Sequence, residues 1–361
     1  MRQVTRIRLS ELETFVKSPL YRSLDVKPIS LKRALSYIHN PNGSPDDVVI
    51  YMFLEGEKLT AFRTLWAGSL TQDRQSLRFG WCSGSWVAPG CRGQGLSVRL
   101  LREAYADWHK RLMFTNYSPG GKSANLSSGL FTPLHNHHGI RAYFPWALPA
   151  ILRKRGTSGP MLQIARVVAG AVGYVWKAVA RLLSVPDMEG YDFEILDAPD
   201  GECLEIADTF SETTFFGRGA AELEWVFRYP WMTTDPAGRE LQYPFSSFSD
   251  NFSLKVVKIR KNSVTSGFFI FSVRDGHLKS NHFYLSSRDF LAAANWIRAY
   301  CVKNQPDFVT VLNPGIAREI RKRWIPFFYV KGYGQAIYSS FQAAPTVDRS
   351  VQDGDGDYIF T

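Results

Sequence analysis

One stretch, residues 76 to 116, limits the folds available to this chain more than any other. It begins with a strand-like segment, SLRFGWCSGSWVAP (76–89), and passes through a turn rich in glycine. Apolar residues then recur at helical spacing over 94–110, and a short apolar strand follows at 111–116. A strand, a helix and a second strand in this order predict a crossover between parallel strands, which places the chain in the α/β class.

The turn between the strand and the helix has the composition of an anion-binding site. Pro89 removes a backbone donor and ends the strand. Gly93 and Gly95 let backbone N–H groups point into one concavity, and no Cβ keeps an anion away. The helix that begins there adds unsatisfied N–H groups and the positive end of its dipole. Arg92 adds charge and Ser97 a hydroxyl, so a phosphate or pyrophosphate is the expected occupant; the alternative is a strand-to-helix turn without a ligand.

The rest of the chain repeats this order of elements and predicts two similar halves. The predicted elements of the first half are a strand (4–10), a helix (29–39) and a hairpin (47–68), and those of the second are three strands (251–285), a helix (289–304), a strand (307–313), a helix (315–323) and a closing hairpin (325–340). The expected fold is a mixed α/β sheet flanked by helices in each half. The second half is degenerate, because no Arg-x-x-Gly-x-Gly turn precedes its helix.

The predicted organisation has four parts. A first domain spans 1–150, a linker with an apolar basic helix spans 151–189, and a second domain spans 190–345. The last residues, 346–361, are polar, acidic and rich in glycine, so they are predicted to be disordered.

The linker contains an unusual segment, MLQIARVVAGAVGYVWKAVARLLSV (161–185). Arg166, Lys177 and Arg181 interrupt its apolar residues, and the longest uncharged run, 167–176, is shorter than the roughly 20 residues that span a bilayer. Two interpretations stay open: a helix packed between the halves, or a helix lying on the surface of an anionic membrane.

Composition limits the partners and the compartment. The formal net charge is +10, which favours an anionic partner, but no block of five basic residues indicates a nucleic-acid tail. The four cysteines have no zinc-ligand spacing, and the N-terminus has no apolar signal-peptide core. A reduced cytoplasmic setting, with peripheral contact to the inner face of the membrane through 161–185 as an option, is the expectation.

The turn at 87–97 resembles the signature of the GNAT acetyltransferase superfamily, Val-x-Pro-x-x-Arg-Gly-x-Gly-x-Gly/Ala. Five positions match, and Ser97 stands where Gly or Ala is usual. The resemblance covers about 1–145 and implies an N-acetyltransferase that uses acetyl-CoA and no metal. It implies a GNAT-like mixed sheet in both halves, with an acetyl-CoA-binding domain at 1–150 and a second GNAT-like domain at 190–345 that shapes the acceptor site. It implies that the turn binds the coenzyme pyrophosphate, that the strand end pairs with the pantetheine arm, and that a residue ending the next strand holds this arm. The residues carried over are Trp86, Val87, Arg92, Gly93, Gln94, Gly95, Leu96, Ser97 and Asn116.

Acyl transfer needs a base, an oxyanion site and an acid for the leaving thiolate. Family members often carry a Tyr in a Tyr-x-x-Gly-Phe-like segment, but the nearest match here, NLSSGLF (125–131), has none. The catalytic groups are therefore unassigned, with Asn116, Tyr117 and His135 as weak candidates. The expected acceptor is an amine, with an amino sugar or a polysaccharide or cell-envelope precursor as the finer guess.

Two other functions remain open. A Fem-type aminoacyl transferase would draw on aminoacyl-tRNA, although the intact pyrophosphate turn favours an acyl-coenzyme donor. A coenzyme-binding regulatory protein without its catalytic acid would bind acetyl-CoA and would not catalyse acetyl transfer.

Three further stretches resemble sites but favour simpler interpretations. NYSPGGKS (116–123) lacks the first glycine of a P-loop. His135-Asn136-His137-His138 has no nearby ligand at metal spacing and favours a surface turn before a strand at 140–144. LEWVFRYPW (223–231) faintly resembles a segment of GNAT-like proteins acting on cell-envelope precursors, and favours a helix that buries Trp225 and Tyr229.

Overall fold

The computed structural model describes residues 3–72, 75–116, 119–154, 156–183, 188–343 and 350–360. The elements of the first part of the chain are β1 (Val4–Arg8), α1 (Leu9–Lys17), α2 (Pro19–Ser23), α3 (Leu31–Ile38), β2 (Val48–Glu55), β3 (Lys58–Gln72), β4 (Gln75–Val87), α4 (Leu96–Asp107), β5 (Leu112–Thr115), α5 (Pro119–Leu126), β6 (Thr132–Tyr143) and α6 (Leu148–Lys154). The remaining elements are α7 (Pro160–Leu183), β7 (Tyr191–Leu196), α8 (Gly201–Ser211), α9 (Ala220–Arg228), β8 (Phe252–Lys261), β9 (Val264–Arg274), β10 (His277–Tyr284), α10 (Phe290–Asn304), β11 (Phe308–Val311), α11 (Pro314–Lys322) and β12 (Tyr329–Ser339).

The strands form one sheet of 12 strands in the order β1-β2-β3-β4-β5-β12-β6-β11-β10-β9-β8-β7. Strands β1 to β4 are antiparallel neighbours, and β5 runs parallel to β4. Strands β7 to β10 repeat this arrangement, and β11 runs parallel to β10. The predicted mixed sheet in two similar halves is confirmed.

The two halves are joined by an exchange of strands at the centre of the sheet. Strand β12, from the end of the chain, pairs with β5 and with β6, and β6 in turn pairs with β11. The predicted hairpin at 325–340 is therefore wrong: a single strand forms there, because its partners come from the first half of the chain. The predicted domain boundaries, 150 and 190, stay predictions.

Helices cover both faces of the sheet because their apolar residues recur at helical spacing. Helix α4 packs Leu100, Leu101 and Ala104 onto β3 and β2, and α10 packs Ala293 and Ile297 onto the second half. Helices α1 and α3 share a core with α8 and α9, on the face opposite α4.

The end of the chain differs from the sequence prediction. Residues 352–360 are buried, and Gly356–Phe360 form a short 3₁₀ helix within the core, so the predicted disorder is wrong for 350–360; residues 344–349 and 361 lie outside the described residues. Phe360 stacks on Trp231, with ring centroids 4.2 Å apart. Composition alone misses this packing, because the aromatic residues that receive the segment lie far away in the sequence.

Candidate functional site

The site begins where β4 and β5 separate. The two parallel strands pair only at Gly80–Leu112 and Trp81–Met113. Beyond Trp81, up to Val87, the described residues provide no strand partner for β4 on its β5 side. This open edge leaves backbone hydrogen-bonding groups available to an extended ligand arm. A bulge interrupts β4 at the same point, since its register with β3 shifts between Arg63 and Leu65.

The turn after β4 has the backbone geometry that an anion site requires. A 3₁₀ turn at Pro89–Cys91 ends the strand, and Gly93 and Gly95 have φ angles of +79° and +72°. Both glycines are exposed, and a Cβ added at either would meet no atom within 4 Å. Gly95 is the N-cap of α4 and has no side chain to accept the first-turn N–H groups of the helix. These donors therefore face open space at the positive end of the helix dipole.

A buried arginine lies beneath this helix end. Arg63, on β3, is 1% exposed, and its Nη2 donates to Ser97 Oγ at 3.3 Å and to Asn125 Oδ1 at 3.0 Å. Its Nε is buried without a hydrogen-bond partner among the described residues. Burial lowers the pKa of this guanidinium below its usual value. Arg63 adds a positive charge below the first turn of α4, and the sequence analysis missed it because it lies 34 residues from Ser97 in the chain.

The predicted coenzyme residues are brought to one end of the sheet. Trp86 and Val87 end β4, residues 92–97 form the turn and the first turn of α4, and Asn116 follows β5. The Trp86 ring stacks on Phe62, with centroids 5.9 Å apart. The Asn116 side-chain oxygen is already engaged within the protein, because Oδ1 accepts a hydrogen bond from the N–H of Ala336 on β12 at 2.6 Å.

Of the weak catalytic candidates, Tyr117 lies outside the described residues. The predicted surface turn at 135–138 is wrong, because these residues are part of β6. His135 therefore lies in a strand. Ile337 of β12 pairs with both His135 and Thr115, so His135 lies in the same row as the end of β5. Burial lowers the pKa of His135, and the ring contacts His137 edge-on with centroids 4.6 Å apart.

The part of the chain that is described contains no group of three or more His, Cys, Asp or Glu side chains placed to hold a metal ion. The P-loop-like residues 119–123 lie inside α5, so their glycines do not form a loop before a helix. The predicted helix around Trp225 is present as α9, and Trp225 is buried and donates to the carbonyl of Ser36. The predicted burial of Tyr229 is wrong, because this residue follows the end of α9 and is half-buried, with its ring stacked on His39.

The opposite face of the β4–β5 separation is lined by groups that the sequence analysis missed. Ser83 of β4 accepts from Arg33 Nη1 at 2.8 Å, and the Arg33 guanidinium lies 3.9 Å from the centre of the Trp231 ring. The Trp66 ring stacks beside Trp81, with centroids 5.7 Å apart. An aromatic cleft containing a cation thus faces the open edge of β4.

Comparisons with known proteins agree with this arrangement at the level of the fold. A GCN5-related N-acetyltransferase from Anabaena variabilis superposes with a TM-score of 0.50 at 12% sequence identity, over 93% of this chain and 72% of that one. A tandem GNAT protein from the clavulanic acid biosynthesis pathway gives a TM-score of 0.45 at 11% identity, over 95% of this chain and 100% of that one. No protein-family sequence model and no curated protein sequence matches the chain.

The predicted resemblance to the GNAT superfamily is therefore confirmed for the fold. The strand order of this fold recurs within the chain: each half contains four antiparallel strands and a fifth that separates from the fourth. Among the described residues, the glycine turn between the fourth strand and its helix occurs only in the first half.

Proposed function

We propose that this protein is an acyltransferase that moves the acetyl group of acetyl-CoA to an amine. The observation that carries the proposal is the open edge of β4, which ends in a glycine turn at the start of α4 with Arg63 beneath it. A pyrophosphate fits the turn because no side chain obstructs it, and an extended arm fits the unpaired strand edge.

Acetyl-CoA supplies the activated thioester. When an amine takes the acetyl group, the new N–C bond forms as the C–S bond breaks, the amine loses a proton and the thiolate gains one. We propose His135 as the acceptor-side base, because it lies in the row of Thr115 and burial keeps its ring neutral at pH 7. The acid that protonates the thiolate is not assigned.

Calorimetric titration of the whole chain with acetyl-CoA, with ATP as the control nucleotide, tests the coenzyme step. Binding of acetyl-CoA in the micromolar range with weaker binding of ATP is expected, followed by release of free thiol when an amine is added. Absence of acetyl-CoA binding would contradict the proposal.

Replacement of Arg63 by Met tests the buried charge. We expect acetyl-CoA to bind about tenfold more weakly, which is about 1.4 kcal/mol, because a cation below the phosphate site is lost. The free energy of unfolding should change by no more than about 1 kcal/mol, because a buried charge replaced by an apolar chain of similar length removes a desolvation cost. Lys is the matched variant and should keep most of the affinity; equal losses for Met and Lys would show that Arg63 acts only by packing.

We also propose that α7 attaches the protein to an anionic membrane. Its small residues Ala165, Ala169 and Gly173 face the protein, where Gly173 approaches Trp146, while Val167 and Tyr174 are 74% and 80% exposed. The same helix exposes four further apolar side chains: Met161, Ile164, Val175 and Leu182. Two other exposed aromatic residues, Trp324 and Phe328, contact the ring of Trp176 on α7.

The charges and neighbours of α7 support a helix lying on the membrane surface. By length and composition alone Pro160–Ala180 could cross a bilayer. However, Trp176 donates to the carbonyl of Pro326 at 2.7 Å, and Lys177 lies 5.2 Å from the Trp146 ring, so one face is held by the protein. Exposed Arg166 suits anionic headgroups. A membrane location suits a cell-envelope precursor as acceptor.

Vesicle flotation tests the membrane proposal. We expect the protein to bind vesicles with 30% phosphatidylglycerol and not neutral ones, and Val167→Glu with Val175→Glu to reduce binding at least tenfold. Val264→Glu is the control, because Val264 is similarly exposed, at 69%, on β9. Equal binding by the double variant, or dimerisation through this face measured by light scattering, would contradict the proposal.

A further inference from the structure

The C-terminal segment 350–360, called the tail below, runs through the interior between the two halves of the sheet. Three of its carboxylates, Asp353, Asp355 and Asp357, are between 2% and 6% exposed. Burial raises the pKa of Asp353 to about 7. Buried carboxylates are costly unless they are paired, so the cleft around the tail must supply the partners.

The tail first enters the place where β10 and β11 separate. These strands pair at residues 277–279 with residues 308–310, and then diverge. Asp353 Oδ2 bridges the gap, since it accepts from Ser280 Oγ at 2.9 Å and from the N–H of Leu312 at 2.8 Å. Gln352 pairs with the backbone of Phe283 through both its side-chain oxygen and nitrogen. In the second half the tail therefore fills the position that the open edge of β4 offers in the first.

The tail then reaches the separation of β4 and β5. A Cβ added to Gly356 would lie 2.4 Å from Trp81 Cζ2 and 2.6 Å from Thr115 Oγ1. Asp357 accepts from Ser83 Oγ at 2.5 Å and from Trp66 Nε1 at 2.8 Å. The tail thus ends where β4 separates from β5, on the sheet face opposite α4 and the glycine turn.

Buried cations line the cleft that the tail fills. Arg218 Nε lies 3.5 Å from Asp355 Oδ1, and Arg218 Nη2 donates to the carbonyl of Gly356 at 3.3 Å. Lys279 Nζ donates to the carbonyl of Tyr358 at 3.1 Å. Arg33, Arg218 and Lys279 are each no more than 7% exposed with the tail in place, and displacement of the tail would open these cations to an anionic ligand.

We propose that this cleft is the acceptor site, that the tail occupies it as a displaceable mimic of the acceptor, and that the acceptor is an amine that also carries a carboxylate or a phosphate. The inference rests on the proposed acetyl transfer. It follows from the position of the tail at the open edge of β4, and from cations that match the tail's carboxylates. The acceptor displaces the tail and supplies the negative charge that Arg218 and its neighbours require.

The full-length variant Gly356→Ala tests displacement, because the tail cannot keep its place with a Cβ against Trp81 and with a φ of +83°. Gly201→Ala is the control, since a Cβ there meets no atom within 4 Å. We expect hydrogen exchange of residues 350–360 to accelerate at least a hundredfold in Gly356→Ala only. A synthetic peptide of residues 350–361 should bind this variant and not the wild type, and a further Arg218→Gln change should weaken that binding at least tenfold.

The chemical class is tested by thiol release with glucosamine, glucosamine 6-phosphate and the corresponding 2-amino uronic acid. We expect Gly356→Ala to acetylate at least one of the anionic amines ten times faster than glucosamine, and ten times faster than the wild type does. The two anionic arms distinguish a phosphate from a carboxylate. Equal rates with all three amines would overturn the proposed class.

Failure of the two proposals can be told apart. If the tail of Gly356→Ala stays protected from exchange, the tail is a permanent part of the core and this inference is overturned. If Gly356→Ala does not fold, a second variant decides. The double variant Asp355→Asn with Asp357→Asn gives this second check. If hydrogen exchange of residues 350–360 is as slow in the double variant as in the wild type, the carboxylates do not anchor the tail and the inference is overturned. If acetyl-CoA fails to bind any variant while the peptide still binds Gly356→Ala, the transfer function is wrong and the anion-binding cleft stands.

Discussion

Replacement of Gly95 by Glu is expected to weaken acetyl-CoA binding at least a hundredfold, which is about 2.7 kcal/mol. Gly95 is the N-cap of α4, with a φ of +72° and open space where a Cβ would lie. A carboxylate there would occupy the place of the pyrophosphate and repel it, and the left-handed backbone adds strain of about 1 kcal/mol for any other residue. Calorimetry with acetyl-CoA measures the loss.

Gly95→Gln is the matched control, because it has the same shape and the same backbone strain without the charge. We expect Gln to bind acetyl-CoA at least ten times more tightly than Glu does. If Glu and Gln weaken binding equally, the loop recognises shape alone; if neither weakens it, the turn does not bind the coenzyme.

Replacement of Gly139 by Ala is expected to lower the free energy of unfolding by at least about 3 kcal/mol, at the upper end for overpacking. Gly139 lies in β6, where β11 ends against it and β12 pairs on the other side. A Cβ at Gly139 would lie 2.0 Å from the carbonyl oxygen of Val311 and 2.5 Å from Leu312 Cα. The clashing atoms belong to the backbone of a paired strand, so they cannot move away by a change of rotamer as a side chain can. The pairing of β6 with β11 and β12, which joins the two halves, must therefore shift.

Urea unfolding followed by tryptophan fluorescence measures this loss, with the slope compared to detect a change in cooperativity. Gly170→Ala is the control, because Gly170 lies in α7 with no atom near an added Cβ, and alanine there should stabilise by up to about 1 kcal/mol. A Gly139→Ala protein as stable as the wild type would show that the exchanged strands do not hold the halves together.

Much of the coenzyme side of the candidate site could be predicted from the sequence because it is local. The signature residues 87–97 follow one another in the chain, and their strand, turn and helix form where the sequence places them. Arg63 could not be predicted in this way, because its role depends on the pairing of β3 with β4 beneath α4. The polarity of residues 135–138 predicts a surface turn, whereas pairing with β12 places them in a strand and His137 is buried.

Local sequence patterns predict the order of strands and helices, the glycine turn and the repetition of one architecture in two halves, because periodicity and turn chemistry act over a few residues. The exchange of β6 and β12 at the centre of the sheet does not follow from local patterns, since each strand pairs with residues more than 160 positions away. Tertiary contacts also bury the last described residues, 352–360. Their Asp and Gly composition indicates disorder, but Arg218, Lys279 and a cluster of tryptophans give the carboxylates and Phe360 partners that bury them.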